Sequence, residues 1–265
     1  MTPREPPPHP WFGADRPRVL AHRGLVTDDA ARDGIAENSF AAIAAAHAAG
    51  AAYIETDCHL TRDGTVVLFH DESLTRITGD PRRVSEVDAA ELGDLMAERG
   101  GLLTLRDALE SFPTLRFSVD VKADAAAGST GRIAADFAER ILVTSFSDRR
   151  RRRALSAVEK GRPRPATSAG AGTVAAVLGA LAVRARRRAA ELLRGVDALQ
   201  VPVRFRGMPV VTPRLLDAAH AASVEVHAWT INDPATMREL LASGVEGLVT
   251  DRADVAIGVA AKPRR

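Results

Sequence analysis

The chain has 265 residues, of which 46% are hydrophobic and 26% charged, and a formal net charge of +2. This is globular composition, and the length suits a single (β/α) barrel, which takes about 250 residues. The isoelectric point of about 9.1 reflects a modest arginine excess and names no nucleic-acid partner. A single cysteine, Cys58, excludes an internal disulfide framework and points to a reducing, cytoplasmic compartment. Residues 1–17 are Pro-rich, lack the apolar centre of a signal peptide, and read as a flexible leader before a domain over 18–265. The longest apolar run, 173–183, falls short of the about 20 residues of a membrane-crossing helix.

The first strand is the apolar run 19–21, which ends in His22-Arg23-Gly24. Asn38 or Ser39 can cap the Ala-rich helix over 40–49, because a short polar side chain accepts from free first-turn amides, and Gly50 stops that helix. Residues 53–57 form a second strand. Alternation places Glu55 and Asp57 on one face and Ile54 and Thr56 on the other. The turn at Asp63-Gly64 returns the chain antiparallel over 66–69, so this strand lies outside the parallel series and an insertion covers about 59–101. A helix follows over 104–112.

Next comes a strand over 115–122, with Ser118, Asp120 and Lys122 on one face, then a short helix over 133–140. A strand over 141–146, an Arg-rich helix over 148–158 and a weak strand over 164–168 follow. The segment 173–193 reads as helix interrupted near Gly179. Strand 198–201, helix 212–222, strand 224–230, helix 233–242 and strand 247–250 complete the chain. Eight strands, each followed by a helix or a helix-sized gap, predict a closed TIM (β/α)8 barrel with a small insertion after the second strand. No dinucleotide fingerprint and no P-loop follows any strand.

Barrel sites form at the C-terminal ends of the strands. His22, Glu55, Asp57, Asp120, Lys122 and Trp229 all fall there. Carboxylate oxygens suit a hard cation, Ca²⁺ or Mg²⁺, and a substrate phosphate can complete its coordination. Arg23 and Lys122 would add positive charge around that phosphate. Histidine titrates near neutral pH, so of His22 and His70 one can take a proton and the other give one.

The ordered motifs His22-Arg23-Gly24, Glu37-Asn38-Ser39, Glu55-Thr56-Asp57, Thr61-Arg62-Asp63-Gly64, His70-Asp71, Asp120-Val121-Lys122, Trp229-Thr230-Ile231-Asn232 and Gly247-Leu248-Val249-Thr250-Asp251 resemble the glycerophosphodiester phosphodiesterase family. The resemblance spans about 19–255. It implies metal-dependent cleavage of glycerophosphodiesters to glycerol 3-phosphate and an alcohol, through a cyclic phosphate. By that likeness Glu55, Asp57 and Asp120 bind one divalent ion, His22 and His70 are the acid–base pair, and Arg23, Lys122 and Trp229 contact substrate. Three departures bear on this, one of them the short, Ala/Gly-rich segment 123–140, which implies reduced substrate-shaping loops there. Asp120 stands where the family usually has Glu, one methylene longer, which also resembles the sphingomyelinase D branch. Ser39 replaces Thr.

Plainer roles compete for several residues. Glu55 and Asp57 can be solvated strand-end charges, Lys122 and Asp120 a structural ion pair, and Trp229 and His227 packing residues. Glu37 suits either the site or a helix N-terminus, and Asn38 reads as a cap. His9, His47, His59 and His220 read as surface or helix residues. The arginine runs 149–153 and 184–188 are either solvated helix faces or a peripheral contact with anionic membrane. The alternative activities are a lysophospholipase D or sphingomyelinase D-like lipid phosphodiesterase, or an inactive barrel that binds phosphodiesters or membrane.

Overall fold

The computed structural model describes residues 9–13 and 16–261. Its strands are β1 (Arg18–His22), β2 (Tyr53–Leu60), β3 (Val66–Leu68), β4 (Arg116–Val121), β5 (Ile141–Thr144), β6 (Ala166–Thr167), β7 (Ala198–Pro202), β8 (Arg204–Phe205), β9 (Met208–Pro209), β10 (Glu225–Trp229) and β11 (Gly247–Thr250). The main sheet runs in the order β6-β5-β4-β2-β1-β11-β10-β7, every neighbouring pair on that path parallel. A parallel bridge between Ser168 and Ala198 joins its two ends, with Asp197 N donating to Thr167 O at 2.9 Å. The eight-stranded circuit of a TIM barrel is thereby closed, as the alternation of elements predicts. Strand β3 pairs antiparallel with β2 outside the circuit, and β8–β9 is a separate hairpin.

The helices are α1 (Asp28–Arg32), α2 (Phe40–Ala48), α3 (Thr75–Thr78), α4 (Ala89–Met96), α5 (Leu105–Ser111), α6 (Ala126–Asp136), α7 (Asp148–Ser156), α8 (Ala171–Ala182), α9 (Arg186–Leu192), α10 (Pro213–Ala221), α11 (Pro234–Ser243) and α12 (Ala253–Ala260). Among the described residues none is long and apolar enough to cross a membrane. Strand side chains alternate between two cores, as a period of two requires. Val19, Ala21, Ile54, Cys58, Val119 and Val121 belong to the layer that packs with the helices. Leu20, Tyr53, Leu142, Ala166, Ala198 and Val249 fill the barrel interior. The insertion carries its own small core of Val67, Phe69, Leu74, Val84, Val87, Leu92 and Met96.

Local expectation and fold part company in three places. The helix predicted over 133–140 starts earlier, at Ala126, and ends at Asp136, with a 3-10 turn over Ala138–Arg140. Its glycines weaken helix propensity, but Gly131 presses against α7 so closely that a Cβ there would sit 2.0 Å from Ala154 O. Tertiary contact therefore overrides propensity. The break expected near Gly179 lies instead between Ala182 and Arg186. Gly179 faces open space and the helix runs through it. Arg184 takes φ 59°, with Arg184 N bonded to Leu181 O and Ala185 N to Ala180 O, the paired bonds of a Schellman cap.

Part of the segment read as a flexible leader is packed. Pro10–Phe12 is a 3-10 turn, and Trp11 is fully buried at the N-terminal end of the barrel interior. Its indole donates to Phe117 O at 3.0 Å, and Tyr53 Oη donates to Phe12 O at 2.7 Å. An aromatic pair buries large apolar area, which outweighs a Pro-rich context. Residues 1–8, 14 and 15 lie outside the described residues. Next to this plug the buried Arg18 forms a two-pronged pair with Glu225 at 2.8 Å for each contact.

Candidate active site

The site begins at the end of β1. Arg23 adopts φ 59°, a left-handed conformation that a non-glycine residue holds only at a cost, and its amide donates to Glu55 O at 2.7 Å. Gly24 follows at φ 93°, where a Cβ would fall 2.6 Å from the Ala42 backbone. The turn thus turns the Arg23 side chain back toward β2. Its Nε lies 2.9 Å from Asp57 Oδ2, and its Nη1 donates to Glu37 Oε1 at 2.9 Å. Glu37 also accepts from Arg76 Nη2 at 2.6 Å, so it bridges two arginines rather than serving a helix N-terminus.

Asn38 is not the cap. Ser39 caps α2 by accepting from Ala42 N, whereas Asn38 sits at φ 60° with its side chain turned into the barrel wall. Its Nδ2 donates to Asp57 Oδ2 at 3.3 Å, and its Oδ1 accepts from Thr56 at 2.7 Å. The left-handed backbone frees this amide from capping and makes it a clamp on Asp57.

Glu55, Asp57 and Asp120 lie side by side because β2 and β4 pair with Asp57 opposite Asp120 and Glu55 opposite Ser118. Lys122 Nζ stands between two of them, 2.9 Å from Asp57 Oδ1 and 2.7 Å from Asp120 Oδ2. Burial alone would lower the Lys122 pKa, but the two carboxylates outweigh it and push it up to about 12. Burial, then the charges of Asp57 and Asp120, hold the Glu55 carboxyl well above its ordinary range. Burial likewise raises Asp120, against the pull of Lys122.

Two oxygens are left over. Glu55 Oε2 and Asp120 Oδ1 are buried without a hydrogen-bond partner. Buried carboxyl oxygens without donors fit a hard cation, whose charge would favour their ionised form. Asp57, by contrast, has both oxygens engaged by Arg23, Asn38 and Lys122. Among the described residues no three His, Cys, Asp or Glu side chains converge closely enough to enclose an ion.

Each histidine is oriented by a carboxylate. His22 Nδ1 lies 2.6 Å from Asp251 Oδ1, and His70 Nδ1 lies 2.6 Å from Asp71 Oδ1. The hydrogen bond from His22 holds the Asp251 carboxyl below its usual range, so it stays ionised and accepts. In the neutral imidazole the Nδ1 proton then points to the carboxylate and Nε2 keeps the lone pair. Asn232 fixes Asp251 in turn, with Nδ2 donating to Oδ2 at 2.8 Å and Oδ1 accepting from the Asp251 amide at 2.9 Å. Asp71 is held by Arg76 Nε at 2.6 Å. His59, read as a surface or helix residue, is buried instead and bonds the carbonyl of His70 at 3.1 Å. It stiffens the turn that presents His70. His227 is buried below the site against Glu225 and Trp11, as a packing residue.

All eight residues singled out from the sequence, His22, Arg23, Glu55, Asp57, His70, Asp120, Lys122 and Trp229, line one cavity of about 600 Å³. A shallower polar depression lined by His70, Asp71, Glu72, Ser73, Arg76 and Lys122 adjoins it. The other side of the cavity is apolar, with Val174, Leu178, Phe205, Val210 and Phe146 facing it. Phe146 and Trp229 meet edge to face with ring centres 5.8 Å apart. Sequence reasoning had no role for Asp251 beyond closing a motif, none for Asp71 beyond His70, and none for Gln200, which bonds Ser118 across the interior at 2.9 Å. Their neighbours in sequence were visible; their partners across the barrel were not.

Comparison with known proteins bears on the chain as a whole. Residues 22–255 match the model of the Glycerophosphoryl diester phosphodiesterase family. The chain is 38% identical over 240 residues to a probable glycerophosphodiester phosphodiesterase 2 of Mycobacterium tuberculosis, covering 89% of this chain and 88% of that one. Its fold is similar to a crystal structure of glycerophosphodiester phosphodiesterase from Thermotoga maritima, with TM-score 0.69, 22% identity and coverage of 93% and 99% of the two chains. It is also similar to an Oleispira antarctica phosphodiesterase solved with the product sn-glycerol-3-phosphate, with TM-score 0.67, 21% identity and coverage of 92% and 96%. With a family model matching residues 22–255 and a relative 38% identical along most of both chains, the chain belongs to the glycerophosphoryl diester phosphodiesterase family.

Proposed function

We propose that this family member cleaves glycerophosphodiesters to glycerol 3-phosphate and an alcohol by acid–base exchange between His22 and His70. The observation that carries the reading is the pair of histidine–carboxylate dyads opening onto one cavity, each with Nδ1 on its carboxylate and with His22 Nε2 3.8 Å from Glu55 Oε2. One imidazole takes the proton of the attacking glycerol hydroxyl as its oxygen bonds phosphorus. The other gives a proton to the leaving alkoxide as the ester bond breaks. Water then opens the cyclic phosphate with the two roles reversed. Arg23 and Lys122 hold the phosphoryl oxygens and offset their charge.

A divalent ion, Ca²⁺ or Mg²⁺, would be held by Glu55, Asp57 and Asp120, of which Glu55 and Asp120 each carry a buried oxygen without a hydrogen-bond partner. When bound, the ion supplies charge stabilisation to the phosphoryl group. The single cysteine, Cys58, is buried, and we place the enzyme in the cytoplasm.

The test follows glycerol 3-phosphate release from glycerophosphocholine and glycerophosphoethanolamine with each ion and with chelator. We expect chelator to abolish release, and His22→Ala or His70→Ala to lower kcat by about 10²–10⁴-fold. Unchanged turnover in either variant would remove that histidine from the mechanism. A second reading, lysophospholipase D-like action, is favoured by the apolar side of the cavity, which can take a chain that a small headgroup alcohol would not fill. A higher kcat/KM for lysophosphatidylcholine than for glycerophosphocholine would select it.

A further inference from the structure

Between β7 and α10 the chain makes a small excursion that the catalytic reading leaves unused. Arg204, Phe205, Arg206, Gly207, Met208 and Pro209 are six consecutive exposed residues. Phe205 is 57% and Met208 63% exposed, and what marks them is that they lie together rather than singly. They are cross-strand partners in the β8–β9 hairpin and so share a face. Arg206 and Gly207 form its two-residue turn with φ 47° and 80°, the left-handed pair of a type I′ turn. Asn or Gly suits the first of those positions. Arginine there costs conformational energy and places a cation at the tip.

No acidic residue occurs from 203 to 210. Among the described residues neither Arg204 nor Arg206 has a carboxylate partner, and Arg206 lies 5.5 Å from the Phe205 ring centre. Because the excursion follows the C-terminal end of β7, it stands at the mouth of the barrel, and Phe205 lines the cavity itself. Phe146, 60% exposed after β5, also lies on that rim.

The arginine runs fit less well. On α7, Arg149 and Arg150 are tied to Asp124, and Arg151 is buried against Asp148 and Thr167. Helix α8 runs antiparallel to the strands, so the run 184–188 after it falls toward the opposite end of the barrel. A surface held there would face away from the cavity.

We infer that the β8–β9 hairpin is an interfacial anchor that seats the mouth of the barrel on an anionic lipid surface. Phe205 and Met208 enter the headgroup layer, while Arg204 and Arg206 pair with lipid phosphates and carboxylates. The inference rests on the cavity being the substrate site, since only then does the anchored face matter for turnover. Substrate would then arrive laterally from the surface into the cavity.

The test is cosedimentation of the full chain with vesicles of pure phosphatidylcholine and with vesicles containing about one-third phosphatidylserine. Two variants are compared: R204Q/R206N/M208Q, in which asparagine suits the turn, and R186Q/R187Q/R188Q on α9. We expect wild type to bind only the anionic vesicles. The hairpin variant should lose about thirtyfold in partitioning with its melting temperature unchanged, and the α9 variant should bind like wild type. The inference is overturned by absence of wild-type binding, by undiminished binding of the hairpin variant, or by loss of binding in the α9 variant. A wild-type dimer in sedimentation velocity that the hairpin variant dissolves would assign the face to a second copy and overturn it too. Hydrolysis of glycerophosphocholine without vesicles, measured on the same wild-type sample, separates this outcome from failure of the proposed activity.

Discussion

Asp251→Asn removes one negative charge from the His22 dyad while keeping the shape of the side chain. In the native arrangement Asp251 Oδ1 sits 2.6 Å from His22 Nδ1, and Asn232 holds both the carboxylate and its amide. A hydrogen bond to an ionised acceptor contributes about 1.5–3 kcal/mol. The Asp251 side chain is 52% exposed, so solvent screening places the value at the low end, about 1.5 kcal/mol. If that energy is realised as imidazolium forms, kcat falls about tenfold while KM stays put. The assay is steady-state release of glycerol 3-phosphate from glycerophosphocholine, with the melting temperature as a folding control. Asn232→Ala should lower kcat by a similar route, and the double variant should be little worse than Asp251→Asn alone, since both act through one dyad. A kcat within twofold of wild type, or a rise in KM alone, would refute a positioning role for Asp251.

Two further predictions concern the scaffold. Burial pushes the Glu225 carboxyl up, but hydrogen bonds and charge from His227 and Arg18 outweigh it and hold its pKa at about 2, against an ordinary 4.5. A depressed carboxylate stabilises the fold above its unfolded pKa, so this contribution, about 3 kcal/mol, is complete at neutral pH and lost as pH falls from 4.5 to about 2. Glu225→Gln should therefore destabilise by about 3 kcal/mol in urea at pH 7 and flatten the acid limb of stability; an unchanged limb would mean that neither His227 nor Arg18 favours the ionised carboxylate. Gly131→Ala offers a propensity gain of about 1 kcal/mol against overpacking of about 1–3 kcal/mol or more. With the new Cβ only 2.0 Å from Ala154 O, overpacking wins, and thermal melting should show a lower midpoint. A higher midpoint would mean that α6 and α7 are not so close.

The barrel strands were legible because a parallel strand buried on both faces reads as a short apolar run, as β1, β5 and β11 do, while β4 showed itself by alternation. Helix starts near 40, 104, 148, 212 and 233 were legible too, and the structure caps them at Ser39, Thr104, Ser147, Thr212 and Asp233, each by a local bond from a short polar side chain to a nearby amide. The extent of α6, the break after α8 and the burial of Trp11 were not. The break after α8 rests on a left-handed arginine, a residue type that does not announce a cap, whereas the first and last depend on a neighbour distant in sequence, α7 for Gly131 and the floor of the barrel for Trp11. Asn38 and His59 were misread for the same reason, as their bonds to Asp57 and to the His70 carbonyl exist only once β2 and its flanking turns have folded.

The sequence by itself determined which chemistry is available and on which strand ends it stands, because a period of two assigns Glu55 and Asp57 to one face and motif order carries the family. Tertiary structure alone decided how those charges pair. Strand β1 hydrogen-bonds β11, the last strand of the chain, which brings His22 to Asp251 across 229 residues of chain. The β2–β4 register sets Lys122 between Asp57 and Asp120 and leaves one oxygen each on Glu55 and Asp120 unclaimed. Such contacts are non-local, and no local propensity or spacing encodes the distance at which two charges will meet once the sheet has closed.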